Sequence, residues 1–289
     1  MPSSAGSRTD WGDSMIRDIT LGQYYPAKSM IHQLDPRVKL VTTMIFIISL
    51  FVAKGVGGYA IATVFLATVI RVSRVPFRYM TKGLKAILMI LMLTVIFNLF
   101  LIDGDYELWR FGFLRITDKG LKTAVFMAIR LVYLILGSSI MTLTTTPNDL
   151  TDGLERLLGP FKRLHVPVHE IAMMMSIALR FIPILLEETD KIMKAQIARG
   201  ADFETGNLIQ KAKAMVPLLV PLFISAFRRA NDLAMAMEAR CYHGGDGRTK
   251  MKPLHYERRD RVAYGVVWGY LLLMMAAGWA TSFYGIMWL

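Results

Sequence analysis

Cysteine and charge are both scarce in this chain of 289 residues. Cys241 is the single cysteine, which excludes a disulfide framework and any metal site built from several cysteines. Charged residues make up only 19% of the chain, below the quarter or so that is typical of soluble domains. Hydrophobic residues reach 54% and occur in runs too long for a soluble core. The composition therefore predicts a multi-span membrane protein.

Acidic residues are fewer than basic ones. The chain has 34 Lys and Arg against 22 Asp and Glu, for a net charge of +12. The basic residues flank apolar runs or share their loops with acids, a pattern that favours positive-inside membrane topology over nucleic-acid binding. We therefore expect the chain to contact the lipid bilayer and no nucleic acid. Residues 1–33 are polar and lack the apolar core and cleavage site of a signal peptide.

Five apolar runs stand out along the chain. With their flanks, they approach the roughly 20 residues that a helix needs to cross the hydrocarbon layer. The last run is rich in Trp and Tyr, which suits a membrane interface. The sequence thus predicts an all-α integral membrane protein with about five transmembrane helices. The runs cover residues 38–53, 56–70, 84–102, 121–144 and 262–289.

The loops predict which helix ends face the cytoplasm. Segment 71–85 carries five basic residues and no acid, so it should be a cytoplasmic loop. Segment 103–120 mixes acids with bases and should lie outside. The N-terminus and the long polar segment after the fourth run are then cytoplasmic. The predicted parts are an N-terminal segment 1–37, a four-helix membrane region 38–146, a cytoplasmic module 147–261 and a last membrane helix 262–289.

The cytoplasmic module contains two long stretches of one design, 169–200 and 210–245. Each begins apolar, carries proline in or beside its apolar half, and then turns polar. The apolar halves run about 14–16 residues, which is short for a span. We therefore expect long amphipathic helices that lie against the membrane or leave it. The alternative is that 171–186 and 214–227 insert as two short spans.

The same ending closes both stretches: an arginine between an alanine and a small residue. An ordinary helix C-terminus explains one such ending, because arginine favours the negative end of the helix dipole and glycine supplies the stop. Two such endings, 41 residues apart, favour a docking role. Small neighbours leave each guanidinium free for bidentate pairing in an acidic groove of a partner. The candidate site residues are Ala198, Arg199, Gly200, Ala239, Arg240 and Cys241.

The LDPRVKL motif at 34–40 opens the first span. Asp35 is expected to cap the helix and Pro36 to take its first position. Arg37 and Lys39 are expected to anchor at anionic lipid headgroups.

Three further features carry weaker signals. Arg130 lies within the fourth run. It is either a residue that packs inside the protein or lines a substrate path, or one whose side chain snorkels to the interface, and the sequence favours neither. Gly265 and Gly269 form a GxxxG pattern that allows close helix approach. The HVPVHE stretch at 165–170 is not HExxH, and its proline breaks the helix that would align the two histidines, so we expect no metal site.

No catalytic constellation is present in the sequence. It has no Walker A pattern, no nucleophile elbow and no kinase signature. A membrane enzyme is therefore disfavoured. The main alternative to a subunit that docks onto partners is a self-contained secondary transporter, which would need several polar groups or broken helices at mid-membrane. The early spans offer chiefly Arg130 and Asn98.

The order and spacing of three blocks resemble the transmembrane T component of energy-coupling factor (ECF) transporters. The blocks are LDPRVKL, the long block from TTTPNDL to MKAQIARGAD, and VPLLVPLFISAFRRANDLAMAMEARCYHGG, and the resemblance covers about residues 15–262. The N-terminal block 15–40 is most similar to T components that several substrate-binding subunits share.

This resemblance implies a role in importing vitamins, or in some cases transition-metal ions, across a prokaryotic cell membrane. The expected partners are two cytoplasmic ABC ATPases and one or more membrane S components that bind the substrate. ATP and Mg²⁺ would be held by the ATPases, and this chain would be a non-catalytic subunit with no cofactor of its own. The resemblance also places the two arginine endings in grooves of the ATPases. Cys241 departs from the family pattern, because glycine is usual there and supplies a left-handed helix cap.

Overall fold

A computed structural model describes residues 24–53, 55–102, 107–111, 114–201, 203, 207–244, 251 and 253–283. Contacts divide the chain into two units. The described residues of one unit, here the bundle unit, fall within Gly22–Leu154 and Leu254–Leu289. Those of the other, here the arm unit, fall within Glu155–Pro253.

The described part of the bundle unit contains five long helices, and each coincides with one of the predicted apolar runs. Residues 284–289 of the last run lie outside the described residues. This agreement confirms the all-α membrane class. The helices are α1 Pro36–Val52, α2 Gly55–Ser73, α3 Phe77–Leu101, α4 Asp118–Thr144 and α8 Arg258–Phe283.

Helices α1, α2, α4 and α8 share one apolar core, to which α3 contributes Met80. Tyr270 of α8 is central to it, with its ring stacked on Phe65 of α2 at 4.2 Å between centroids. The Tyr270 hydroxyl also lies 2.7 Å from Ser49 Oγ of α1, so a buried polar tip finds its partner inside the bundle. One residue of α8 thus links three helices of the bundle.

Among the described residues, four helices are long and apolar enough to cross a membrane: Gly55–Ser73, Asp118–Thr144, Val168–Ala198 and Arg258–Trp279. The apolar stretch Ile87–Phe100 of α3 is shorter, and α1 has 17 residues. The third of these four is one of the two helices expected outside the membrane, so its length and composition also fit the alternative topology. The sidedness of the helix ends and the boundaries of the cytoplasmic module stay predictions.

The connection between α2 and α3 is shorter than the predicted loop 71–85. Helix α2 continues to Ser73, and α3 already begins at Phe77. Pro76 is extended at the N-cap of α3, and the residue before a proline avoids the helical region, which puts the break at Val75. Most of the basic residues of this segment therefore lie within helix ends, because Arg and Lys are good helix formers.

An antiparallel hairpin follows α3, within the segment 103–120 that was predicted to be an outside loop. Strands β1 Glu107–Phe111 and β2 Leu114–Thr117 pair with Phe111 opposite Leu114. Thr117 then caps α4 by accepting a hydrogen bond from the Gly120 N–H at 3.1 Å. The hairpin leads directly into α4.

Buried carboxylates join the start of α1 to the start of α8. Asp35 caps α1 as predicted, with Oδ1 accepting from the Arg37 N–H at 2.9 Å. The Arg37 guanidinium turns back onto Asp35 at 2.8 Å and donates to the Leu254 carbonyl. Asp260 is only 2% exposed and accepts from the backbone N–H groups of Asp35, at 2.9 Å, and Glu257, at 2.8 Å.

The expected headgroup anchoring of Arg37 and Lys39 is therefore wrong. Lys39 is 6% exposed, and its ammonium donates to the carbonyls of His32 at 3.0 Å and Thr144 at 2.8 Å. A buried cation needs such acceptors, because leaving it unpaired costs several kcal/mol. Both cations are held inside the bundle unit, where they fix the ends of its helices.

The arm unit is built from long helices. Helix α5 Pro147–Leu158 contains the dividing point between the units, and a 3₁₀ helix Gly159–Leu164 follows it. Helices α6 Val168–Ala198 and α7 Leu208–Glu238 have 31 residues each and pack against each other. The two predicted long helices are thus confirmed.

Candidate functional site

The first arginine ending forms a complete left-handed helix cap. Arg199 is the C-cap of α6, and Gly200 follows it with φ +87°. The Gly200 N–H donates to the Ile197 carbonyl at 2.9 Å, and the Ala201 N–H donates to the Gln196 carbonyl at 3.0 Å. This pair of bonds is the Schellman motif, which satisfies the last carbonyls of a helix and turns the chain away from its axis.

The second arginine ending has the same hydrogen-bond pattern. Cys241 has φ +53°, and its N–H donates to the Glu238 carbonyl at 2.8 Å. The Tyr242 N–H donates to the Met237 carbonyl at 3.1 Å. Arg240 thus occupies the position in α7 that Arg199 occupies in α6. The left-handed cap that the cysteine put in doubt does form, at a conformational cost of roughly 1–2 kcal/mol for a residue with a Cβ.

Both arginine side chains project from exposed helix ends. All six residues of the two endings are exposed. Within the described part of the chain, neither the Arg199 nor the Arg240 guanidinium has a hydrogen bond or ion pair. Each therefore presents a free planar fork, with small neighbours on both sides, that matches a carboxylate geometrically.

An ion pair that the sequence analysis missed joins α6 to α7. Arg229 Nη2 lies 3.2 Å from Glu188 Oε2. These two residues are 41 apart in sequence, as are Arg199 and Arg240, so that shared spacing was the available signal. Each terminal arginine lies eleven residues beyond its own helix's member of the pair, or about 16 Å along a helix axis. The two helix ends therefore extend equally far from the pair.

The arm helices expose large apolar side chains. Only Val168 and Ala172 of α6 and Leu218 of α7 are buried among their described apolar residues. A soluble surface rarely carries so large an apolar area without a partner. The exposed apolar residues of α7 are Ile209, Met215, Val216, Leu219, Val220, Phe223, Ile224, Phe227 and Met235, and those of α6 include Ile171, Met174, Met175, Ile182 and Ile197.

The weaker sequence signals resolve into structural roles. Arg130 Nε donates to the Tyr59 hydroxyl of α2 at 3.0 Å, an arrangement that fits the packing interpretation. His169 Nδ1 lies 3.0 Å from Glu155 Oε1, and the described residues contain no cluster of three metal-ligating side chains. The close helix approach expected at Gly265 and Gly269 is not made within the described chain, because a Cβ at either position would meet nothing within 4 Å.

Comparison with known proteins places these features in a family. Residues 27–251 match the family model described as CbiQ, cobalt transport protein. The chain is 58% identical over 86% of its length to the energy-coupling factor transporter transmembrane protein EcfT of Clostridium kluyveri, of which 93% is covered. It is 50% identical to the protein of the same name from Bacillus subtilis, with 85% of this chain and 93% of the relative covered. It is 46% identical to the protein of the same name from Thermanaerovibrio acidaminovorans, with 92% of this chain and 100% of the relative covered.

Proposed function

Because this chain belongs to the CbiQ/EcfT family of multi-pass transporter membrane proteins, we propose that it is the T component of an ECF-type ABC importer. In this role it links ATP hydrolysis by two cytoplasmic ABC ATPases to the uptake of vitamins or other micronutrients through membrane S components. It performs no catalysis, and ATP and Mg²⁺ are bound by the ATPases. The N-terminus and the arm unit face the cytoplasm of a prokaryotic cell.

The observation that carries this proposal is the matched pair of arginine endings. Arg199 and Arg240 close helices of equal length through the same cap, and both are exposed. Two equivalent cationic ends suit two equivalent acidic grooves, one on each ATPase. A bidentate arginine–carboxylate contact is charge-assisted and roughly twice as strong as a neutral hydrogen bond.

The mechanism is mechanical. When ATP binding and hydrolysis move the two ATPases, α6 and α7 transmit that motion, and their ion pair at Glu188 and Arg229 keeps the two helices coupled. The exposed apolar face of α7, including Phe223 and Phe227, presses on the S component. The S component then tilts or releases its substrate.

The exposed methionines favour a chain that is shared among several S components, of the kind called group II. Met174, Met175, Met215 and Met235 are all exposed, and flexible thioether side chains repack around differing surfaces at low cost. Deletion of the gene should then abolish uptake of two or more vitamins at low external concentration. Loss of a single vitamin activity, in a genome with no second T component, would refute sharing.

Co-purification tests the core of the proposal. The full chain, tagged and extracted from native membranes in mild detergent, should bring with it two ATPase chains and a small membrane protein. The Arg199→Glu variant should lose ATPase while keeping the small membrane protein, whereas Lys191→Glu, an exposed charge reversal on the same helix, should keep both. Recovery of the chain alone, with no ATPase, would contradict the proposal.

A further inference from the structure

A cavity of about 540 Å³ lies inside the bundle unit, between α1, α2, α4 and α8. Its volume falls within the range of small-molecule sites, about 300–1,000 Å³. Phe46 and Leu66, each 4% exposed, form part of its buried wall. Most of the lining side chains are apolar, and the uncharged polar ones are four threonines, so the space suits a hydrocarbon rather than a polar metabolite.

The cavity occupies one end of the four helices. Its lining residues lie within 39–46 of α1, 65–72 of α2, 137–144 of α4 and 258–267 of α8, and Met30, Ile31 and Leu34 of the segment before α1 complete the lining. On α8 they run over 258–267, which corresponds to a depth of about 14 Å along the helix. One leaflet of the hydrocarbon core is about 15 Å thick. The cavity therefore reaches from the helix ends through most of one leaflet.

One side of the cavity is open to the surroundings of the helices. Val262 and Val266 of α8 line it and are 65% and 55% exposed, and Val72 of α2 is 39% exposed. In a membrane, these surfaces would meet lipid. An acyl chain could therefore enter sideways, without opening the bundle.

The charged residues that line the cavity are all basic. Among the described lining residues, the charged ones are Lys39, Arg258 and Arg259. The Lys39 ammonium is already bonded to two backbone carbonyls, and Arg259 is paired with the neighbouring Glu257 carboxylate and with Gln33.

Arg258 is the cation that remains available. It is exposed, and within the described part of the chain its guanidinium has no hydrogen bond or ion pair. Of the other carboxylates near this end, Asp35 and Asp260 are buried and already bonded to Arg37 and to two backbone N–H groups, and Asp149 accepts from the Thr146 hydroxyl. The mouth thus presents an unpaired guanidinium above an apolar cavity.

We propose that this cavity binds an anionic phospholipid, with one acyl chain inside and the headgroup phosphate at Arg258. The apolar wall requires a lipid rather than a free phosphate, and the cationic mouth favours an anionic headgroup over a zwitterionic one. The proposal depends on insertion of the bundle unit in a membrane and is independent of the coupling role of the arm helices.

Native mass spectrometry of the full chain tests the headgroup contact. The delipidated protein, titrated with palmitoyl-oleoyl-phosphatidylglycerol, should retain one lipid at saturation and should bind phosphatidylcholine more weakly. Arg258→Gln should weaken phosphatidylglycerol binding about fivefold, the effect expected for one basic residue at an anionic membrane surface. Arg261→Gln, an exposed arginine of the same helix that does not line the cavity, should change it little.

A filled cavity tests the acyl-chain contact separately. Ala263→Phe places a ring in the space, whereas Ala276→Phe adds the same ring at an exposed position of α8 outside it. Phosphatidylglycerol should raise the unfolding temperature of wild type and Ala276→Phe, but not that of Ala263→Phe. Equal lipid binding by Ala263→Phe and wild type, or equal binding of the two lipids by wild type, would overturn the proposal. The proposal would also be overturned if the cavity held no lipid and was shielded from solvent only when a membrane protein partner was co-expressed, or only in a dimer of this chain.

Discussion

Arg229 of α7 and Glu188 of α6 form an ion pair, with Nη2 3.2 Å from Oε2. Their separation of 41 residues equals that of Arg199 and Arg240. The two arm helices thus repeat one plan, in which equivalent positions meet at the pair and equivalent arginines end the helices. Because both side chains are partly exposed, the pair itself adds no more than about 1 kcal/mol to stability. We expect the pair to act instead by coupling the motions of the two helices.

Charge reversal at this pair should uncouple the arm helices. Glu188→Arg and Arg229→Glu each create a like-charge contact, so each should lower substrate uptake, while the double reversal should recover most of it. The measurement is a double-mutant cycle on ATP-dependent uptake. The adjacent exposed residues provide the control: Glu187→Arg and Arg228→Glu should show no such recovery when combined. Strictly additive losses at Glu188 and Arg229 would exclude coupling through this pair.

Removing a Cβ at one helix cap and adding one at the other should change the stability of the folded chain in opposite directions. Cys241→Gly removes the Cβ from a residue with φ +53° and should stabilise the folded chain by about 1 kcal/mol. Gly200→Ala adds a Cβ at φ +87°, where no neighbour lies within 4 Å, so backbone strain alone should destabilise it by a similar amount. Thermal unfolding in detergent measures both changes. A stabilising Gly200→Ala would contradict the cap assignment.

Loss of the Asp260 carboxylate should destabilise the bundle unit. Asp260→Ala leaves the backbone N–H groups of Asp35 and Glu257 without their acceptor in a buried site, which should cost about 2–4 kcal/mol. Asp260→Asn keeps one acceptor oxygen and should cost less. The exposed neighbour Glu257→Ala serves as the control and should change the unfolding temperature little. Equal effects of Asp260→Ala and Glu257→Ala would show that the buried carboxylate does not hold these helix ends.

The predicted topology makes the cysteine a useful reporter. Cys241 is exposed, and if the arm unit is cytoplasmic, it should react with a membrane-impermeant maleimide only after the cell is opened. The alternative with two short spans places residue 202 outside. Asp202→Cys in a Cys241→Ser background distinguishes the two topologies, because labelling of that site in intact cells would contradict the cytoplasmic assignment.

The positions of the long helices could be predicted from sequence because hydrophobic runs and proline breaks are local signals. The left-handed conformation of Cys241 could not, since it depends on the hydrogen bonds that close the cap. The inward orientation of Arg37 and Lys39 was missed for a similar reason. Their partners at Leu254 and Thr144 are distant in sequence, and spacing within LDPRVKL says nothing about them.

The hairpin at β1 and β2 was missed because the charges of its segment were taken as the signal of a loop, although the strands ELWRF and LRIT carry the aromatic, aliphatic and β-branched residues that favour strands. The ion pair between Glu188 and Arg229 needed the tertiary packing of α6 on α7. The cavity of the bundle unit was also beyond sequence reasoning, because four separate helices line it. Local periodicity therefore locates elements, whereas contacts between distant segments decide what their side chains do.

Uptake by charge-reversed variants tests whether the two arginine endings couple ATP hydrolysis to transport. Vitamin uptake by cells that express Arg240→Glu, and by cells that express Arg199→Glu, should fall at least tenfold, because a bidentate charge contact would become a like-charge contact worth several kcal/mol. Arg240→Lys should also lose uptake, though less, because lysine lacks the planar fork. Arg228→Glu, an exposed reversal twelve residues earlier in α7, is the matched control and should retain uptake. If Arg240→Glu reached the membrane, co-purified with the ATPases normally and supported full uptake, the assignment of this helix end as the contact that couples ATP hydrolysis to transport would be contradicted.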